Sequence, residues 1–140
     1  MARIRAERSR ERRSHASSEL HPTLCRRTGE SHFEEVEQAL ASADFAPPAA
    51  PLNVAALFPA ARCSFVGGPP DWGGAIPHPA PRRQFFCTMR GEYAVTASDG
   101  TTRHFPAGRL LLVEDTAGEG HSSRVIGADD LLIFAVALDG

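Results

Sequence analysis

The most constraining feature of this sequence is a succession of short apolar runs with turn residues between them. The runs are Asn53–Phe58, Cys63–Val66, Arg83–Arg90, Tyr93–Ala97, Arg103–Phe105, Leu110–Val113, His121–Ile126 and Leu131–Leu138. The breaks between them are rich in glycine, and Ser98-Asp99-Gly100 between two runs is a strong β-hairpin signal. Many short strands at this spacing are typical of a β-sandwich or barrel. We therefore expect one all-β domain over residues 52–140.

The first 28 residues have a different composition. They carry eight arginines and three glutamates and few large apolar side chains. Such a segment buries too little apolar surface to offset the entropy lost on ordering, so we expect residues 1–28 to be a disordered basic tail. A dispensable extension is favoured over a basic arm that contacts anionic partners.

Residues 29–51 have the pattern of a helix followed by a linker. Ser31 and Glu34 stand at capping-box spacing, and Phe33, Val36 and Leu40 recur at helical intervals. The pattern predicts one helix from about His32 to Ser42. The proline-rich stretch at positions 47–51 then ends the helix and forms an extended linker.

Composition excludes several classes of function. The formal net charge is -2, which provides no basic footprint for nucleic acid. Lysine is absent, so Schiff-base catalysis by an amine side chain is excluded. No apolar run approaches the ~20 residues of a membrane span. Three cysteines without C-x-x-C spacing argue against a disulfide framework, and a reducing, cytoplasmic setting is expected.

Two turn motifs carry a resemblance to a known family. Gly91 stands where the first cupin motif closes on a glycine, and Pro106-Ala107-Gly108 matches the Pro-x-Gly turn that opens the second motif. The chain therefore resembles the cupins, and in particular a subgroup of small bacterial and fungal cupin-domain proteins without a settled activity. The resemblance implies a cupin-type antiparallel β-barrel, that is, a double-sheet jelly roll.

The same motifs imply a site. Counting back from Gly91, Gln84 replaces the motif glutamate, Ala80 replaces its second histidine, and His78 matches the first. His121 matches the histidine of the second motif if the preceding loop is two residues longer, a change that keeps the strand parity. His78, Gln84 and His121 are thus the candidate catalytic residues. They are also the candidate ligands for Fe, Mn, Ni or Zn. Such a set lacks a carboxylate unless the lengthened loop folds inward and supplies Asp115 or Glu114.

Neighbouring residues add candidate substrate contacts. Period-2 alternation places Arg82, Phe86 and Thr88 on the face of Gln84. Arg82 either binds a substrate carboxylate at the barrel mouth or is a surface residue paired with Glu114 or Asp115. Trp72, the single tryptophan, is either an apolar lid or part of the core. Tyr93 and His104 are interpreted as structural.

These features predict an enzyme of small-molecule or secondary metabolism that binds an organic molecule inside the barrel. Acid/base isomerisation, cyclisation, dehydration or decarboxylation would suit the site without any required cofactor. The alternatives are a metal-dependent dioxygenase and a non-catalytic ligand-binding module. The second face of the Arg83–Arg90 run is apolar, with Phe85, Cys87 and Met89, and needs cover from the Phe33–Leu40 helix, the other sheet or a second subunit. Because cupins of this size commonly pair through their sheets, the resemblance implies a homodimer.

Overall fold

The computed structural model describes residues 17–27 and 29–139, and these residues form strands and loops without a helix. In chain order the strands are β1 Ser17–Arg27, β2 Glu30–Ala39, β3 Ala41–Ala43, β4 Leu52–Val54, β5 Ala60–Gly68, β6 Gly73–His78, β7 Gln84–Arg90, β8 Glu92–Ala97, β9 Thr102–Pro106, β10 Leu110–Val113, β11 His121–Ile126 and β12 Leu131–Leu138. The all-β class predicted from the sequence is confirmed. Within the described ranges, no helix is long and apolar enough to cross a membrane.

Two larger sheets form the body of the domain. One has six strands in the order β2-β1-β10-β7-β12-β5, and the other has four in the order β6-β11-β8-β9. Within these two sheets β1 and β10 pair in parallel, whereas the other neighbours pair antiparallel. The short strands β3 and β4 pair only with each other. From β5 to β12 the chain crosses repeatedly between the two large sheets, which is the arrangement of a double-sheet jelly roll.

The core lies between the two sheets and follows from alternation along the strands. In β12, Leu131 and Ile133 are buried and the residues that alternate with them are partly exposed. From the facing sheet, Tyr93 stacks on the fully buried Phe105 with ring centroids 5.1 Å apart. Large aromatic side chains such as these remove the most apolar surface from water and contribute most to the stability of the sandwich.

The turn at Gly91 shows why the first motif ends on a glycine. Gly91 joins β7 to β8 with a φ of +74°, a conformation that L-residues with a Cβ rarely adopt. A Cβ at this position would also lie 2.7 Å from the carbonyl oxygen of Asp130. The tight turn and the close approach of the loop before β12 both require glycine.

The prediction of a helix over His32–Ser42 is wrong, because these residues lie in β2 and β3. Ser31 does not cap a helix; its amide donates a hydrogen bond to the hydroxyl of Ser98, in the turn that follows β8. Phe33 packs against Phe105 with ring centroids 6.4 Å apart. A buried aromatic contact and backbone pairing along a whole strand outweigh a local helical pattern whose energy is small.

The prediction of disorder over residues 1–28 also differs from the structure where it can be compared. Residues 17–27 form β1, while residues 1–16 and 28 lie outside the described residues. A turn at Gly29, with φ +78°, folds β2 back on β1, and β1 pairs on its other side with β10. Backbone hydrogen bonds to β2 on one side and to β10 on the other order β1, although its composition is that of a disordered segment. The six-stranded sheet therefore includes strands from before residue 52.

Candidate functional site

A cavity of about 320 Å³ lies between the two sheets. Its wall is mostly apolar and includes residues of both sheets. The polar side chains in the wall are His78, Gln84, Tyr93, His121 and Ser123. Arginine, lysine, aspartate and glutamate are absent from the part of the wall that the structure describes. The cavity has the size and character of a site for a small organic molecule.

The two histidines predicted from the motifs lie side by side at one end of this cavity. His78 ends β6, His121 begins β11, and the two are direct cross-strand partners. Their ring centroids are 5.2 Å apart. His121 is 8% exposed, whereas His78 is exposed and its Nδ1 lies 3.0 Å from the carbonyl oxygen of Pro79. The pair therefore stands where the cavity meets solvent.

The buried carboxylate of Asp115 contacts the His121 ring at Nδ1. Oδ2 of Asp115 lies 2.5 Å from Nδ1 of His121, and Asp115 is fully buried. The backbone oxygen of Asp115 accepts a hydrogen bond from Ala80 N at 2.9 Å. Since a carboxylate only accepts, Nδ1 of His121 is assigned the proton in this pair. In the neutral tautomer that this bond favours, Nε2 carries the lone pair that a general base needs.

Asp115 is the functional residue that sequence reasoning assigned differently. The sequence suggested Asp115 either as a surface partner of Arg82 or, if the loop folds inward, as the carboxylate of a metal site. The structure buries Asp115 and pairs it with His121. Its other oxygen, Oδ1, has no hydrogen-bond partner among the described residues. The available signal was the lengthened loop itself, which contains one aspartate six positions before the histidine.

The loop from Glu114 to Gly120 is held by the β1–β2 hairpin. The Ser31 hydroxyl donates a 2.6 Å hydrogen bond to the carbonyl oxygen of Gly120, and Ser98 N donates to Ser31 Oγ at 2.7 Å. Glu119 N donates to the carbonyl oxygen of Gly29 at 2.9 Å. These contacts fix the residue that precedes His121, so a hairpin far away in sequence helps to aim the imidazole.

The strand that carries Gln84 alternates as the sequence predicted. Gln84 and Phe86 line the cavity. Thr88 is buried in the core instead, where its hydroxyl donates a 3.2 Å hydrogen bond to the carbonyl oxygen of Phe105. Trp72 lines the cavity and is 46% exposed, as expected of an apolar rim residue rather than of a core residue.

Arg82, predicted to contact substrate, is exposed and is not among the residues that line the cavity. Its neighbour Arg83 makes the ion pair with Glu114, at 3.1 Å from Nη2 to Oε2. The Arg83 guanidinium also lies 4.9 Å from the centre of the Phe58 ring. Neither Arg82 nor Arg83 therefore brings a guanidinium to the site.

Tyr93, interpreted from the sequence as structural, is also part of the cavity wall. Its side chain is 4% exposed, and its phenol oxygen has no hydrogen-bond partner among the described residues. Burial raises the pKa of the phenol well above its usual range, and the nearby Thr88 hydroxyl offsets this only in part, from outside full hydrogen-bond geometry. The Tyr93 hydroxyl is therefore protonated and lies near Thr88, a core residue that does not line the cavity.

The residues present do not fit a divalent metal site of the usual kind. Among the described residues, no group of three or more histidine, cysteine, aspartate or glutamate side chains is placed to hold an ion. His78, Gln84 and His121 would offer two imidazoles and a carboxamide, without a negative charge to compensate the cation. The carboxylate of Asp115 lies beside this set, but it is already hydrogen-bonded to Nδ1 of His121.

The architecture and the motif turns define a class. Two facing, mainly antiparallel sheets enclose the cavity, and Gly91 and Gly108 occupy turns with positive φ where the cupin motifs place glycines. The described residues have a cupin-like fold.

The chain was compared with protein-family models, curated proteins and solved structures. No protein-family model and no curated protein matches the sequence. Among solved structures, the chain is similar to the cupin domain of Cnp3 from Schizosaccharomyces pombe, with a TM-score of 0.45, 19% identity and 78% of each chain covered. It is also similar to protein NMB1881 from Neisseria meningitidis, with a TM-score of 0.40, 14% identity, and 85% and 84% of the two chains covered. At these levels neither protein's function transfers to this chain.

Proposed function

We propose that this chain is a cupin-fold enzyme that binds a small organic molecule between its sheets and moves a proton on it. The observation that carries the proposal is the buried Asp115–His121 pair at the end of an apolar cavity. A carboxylate that orients an imidazole, which in turn lines a cavity, is the arrangement of a general base with its positioning residue.

The chemistry follows from the free nitrogen of His121. Nε2 removes a proton from a carbon or oxygen of the bound molecule, and the imidazolium that forms is stabilised by the Asp115 carboxylate. The Gln84 amide is placed in the same wall to donate a hydrogen bond to a carbonyl oxygen on which charge develops. His78 is close enough to return a proton at a second position. Isomerisation, cyclisation, dehydration and decarboxylation all use such steps and leave the oxidation balance unchanged.

The test is proton abstraction from a simple probe, measured without knowledge of the natural substrate. We expect the protein to catalyse deuterium exchange at the methyl group of 2-acetylnaphthalene in D₂O, followed by NMR. His121→Gln should lower the exchange rate by about 100-fold or more, because general-base catalysis contributes about that much. His104→Gln is the matched control, since His104 is exposed and pairs with Glu92 away from the cavity.

Two further measurements decide between the alternatives. Asp115→Asn should shift the ¹⁵N resonances of the His121 ring toward the other tautomer and also lower the exchange rate, whereas loss of a purely structural aspartate would leave the exchange rate of the folded protein unchanged. Exchange should survive treatment with EDTA. Loss with EDTA and recovery with Fe, Mn, Ni or Zn would favour the metal-dependent alternative. Binding of the probe without any exchange would contradict the enzyme proposal and favour a ligand-binding module.

We further propose a homodimer formed by the outer face and free edge of the six-stranded sheet. The strand β5 is the last strand of that sheet, and Phe65 on it is 69% exposed and contacts Phe134 at 5.6 Å between ring centroids. Met89 on β7 is 54% exposed. In a symmetric dimer this apolar patch packs against the same patch of the second copy. The contact is then complete with two copies.

Sedimentation at tens of micromolar tests the dimer. The native chain should sediment at twice the monomer mass, and Phe65→Asp should sediment as a folded monomer, because a charge in an apolar contact is costly. A native monomer at this concentration would contradict the proposal. Cys63 and Cys87 are free thiols, which suits the reducing cytoplasm in which we place the protein.

A further inference from the structure

The side chain of Trp72 reaches from one large sheet to the other. Trp72 lies in the loop between β5 and β6, which are the terminal strands of the six-stranded and the four-stranded sheet. A Cβ built on Gly68 would lie 3.6 Å from Cβ and 3.7 Å from Cγ of Trp72, and a Cβ built on Gly74 would lie 3.0 Å from Cη2, at the far end of the indole. The indole therefore lies across the gap between the two sheet edges.

The backbone of Trp72 is held on both sides. Its N–H donates a 3.0 Å hydrogen bond to the carbonyl oxygen of Pro69, and its carbonyl oxygen accepts a 2.9 Å hydrogen bond from Val125 N in β11. Backbone groups that are paired in this way keep the Cα in place. Gly68 and Gly74 carry no side chain, which leaves room for the two ends of the Trp72 side chain. The loop and the two glycines together determine where the indole lies.

The indole and the histidine pair lie at different levels of the same cavity. Both Trp72 and His121 line it, and Trp72 is bonded to Val125, four positions after His121 on β11. The far end of the indole lies against Gly74, the cross-strand partner of Ser123, two positions after His121. In extended strand these separations are roughly 7–13 Å. A molecule with one end beside His121 therefore meets the indole with its other end.

We infer that Trp72 is the residue that limits the length of the molecule bound in the cavity. The molecule is largely apolar and flat, of the length of a naphthalene ketone rather than of an anthracene ketone, and it lies between His121 and the indole. The placing of its reacting end beside His121 rests on the function proposed above. The length limit stands on the cavity and on the position of the indole, so it holds for a ligand-binding module as well.

Two ketones of different length test this limit. 2-Acetylanthracene differs from 2-acetylnaphthalene by a third ring in line with the other two. Calorimetry should show the native protein binding the naphthalene ketone about 10-fold or more tightly than the anthracene ketone, because the third ring overlaps the indole. Trp72→Ala should reverse the preference: it should strengthen the anthracene ketone about 10-fold or more and weaken the naphthalene ketone about threefold, through lost contacts.

Ile76→Ala is the matched control for removal of an apolar side chain. Ile76 lies on β6, is 81% exposed and is not among the residues that line the cavity. The control should leave both affinities within twofold of the native values. An unchanged preference in Trp72→Ala, the same change in Ile76→Ala, or no binding of either ketone to the native protein would overturn the inference.

Deuterium exchange on the same two ketones separates this inference from the proposed function. A reversed binding preference without any exchange would contradict the enzyme and leave the length limit in place. Exchange with an unchanged binding preference would contradict the length limit and leave the enzyme in place.

Two neighbouring glycines test the position of the indole itself. A Cβ at Gly74 would lie 3.0 Å from the ring, which must then move, whereas a Cβ at Gly73 would meet no atom within 4 Å. Trp72 is the single tryptophan, so fluorescence reports its displacement directly. Gly74→Ala should shift the emission maximum and weaken 2-acetylnaphthalene about threefold or more, and Gly73→Ala should do neither. Equal effects of the two substitutions would show that the indole does not pack against β6, and would overturn the inference.

Discussion

Gly120→Ala is expected to lower the free energy of unfolding by about 3 kcal/mol or more. Gly120 has a φ of +74°, which costs an L-residue roughly 1–2 kcal/mol. A Cβ there would also overlap the backbone carbonyl of His78, and backbone cannot rotate away as a side chain can. Relieving such overlap by shifting a strand adds about 1–3 kcal/mol. Because Gly120 precedes His121, the surviving folded protein should also have a displaced imidazole.

Gly127→Ala separates the cost of the positive φ from the cost of the steric overlap with His78. Gly127 has a similar φ of +81°, but a Cβ at Gly127 would meet no atom within 4 Å. We expect this control to cost only the ~1–2 kcal/mol of the backbone conformation. Urea denaturation of both variants measures the difference. Equal losses in the two variants would show that β6 does not approach the Gly120 turn as described.

Deletion of residues 1–27 is expected to lower the melting temperature by roughly 10 °C or more. The deletion removes β1, which lies between β2 and β10 in the six-stranded sheet. Without β1, β2 loses its pairing partner, and Ser31 and Phe33 on it lose their fixed positions against Gly120 and Phe105. Several sheet hydrogen bonds and a buried aromatic contact are lost together, and each kcal/mol shifts a domain of this size by several degrees.

Deletion of residues 1–16 is the control for the tail, because it leaves β1 whole. These residues are polar and arginine-rich, so the sequence predicts a change of no more than a few degrees. Differential scanning calorimetry on the two deletions compares them directly. If the longer deletion melted within a few degrees of the native chain, β1 would not be an integral strand of the sheet.

The later strands were predictable because local signals agree there. Leu110–Val113, His121–Ile126 and Leu131–Leu138 were predicted with the same bounds as β10, β11 and β12. Each run is apolar or alternating and is bounded by glycine or proline turns, which mark strand ends directly. The run Asn53–Phe58 is different: only Leu52–Val54 forms a strand, and it pairs with β3 outside the main sheets.

The early strands were not predictable, because their order depends on partners elsewhere in the chain. The spacing of Phe33, Val36 and Leu40 fits a helix, yet Val36 is 38% exposed and only Phe33 among these packs on the buried core. A glycine-rich stretch such as Gly73–His78 also carries little strand signal by itself. It becomes β6 because β11 pairs with it and brings His78 opposite His121.

The sequence by itself determined the all-β class, the glycine turns and the three side chains that the motifs place in one cavity. Such features are encoded by neighbours in the chain, through strand alternation and through turn conformations that only glycine adopts. The tertiary structure alone decided that Asp115 pairs with His121, that Ser31 holds Gly120, and that Tyr93 stacks on Phe105. Each of these depends on which groups come into contact on folding and on whether water is excluded from them. The spacing of residues along the chain determines neither the contacts nor the exclusion of water.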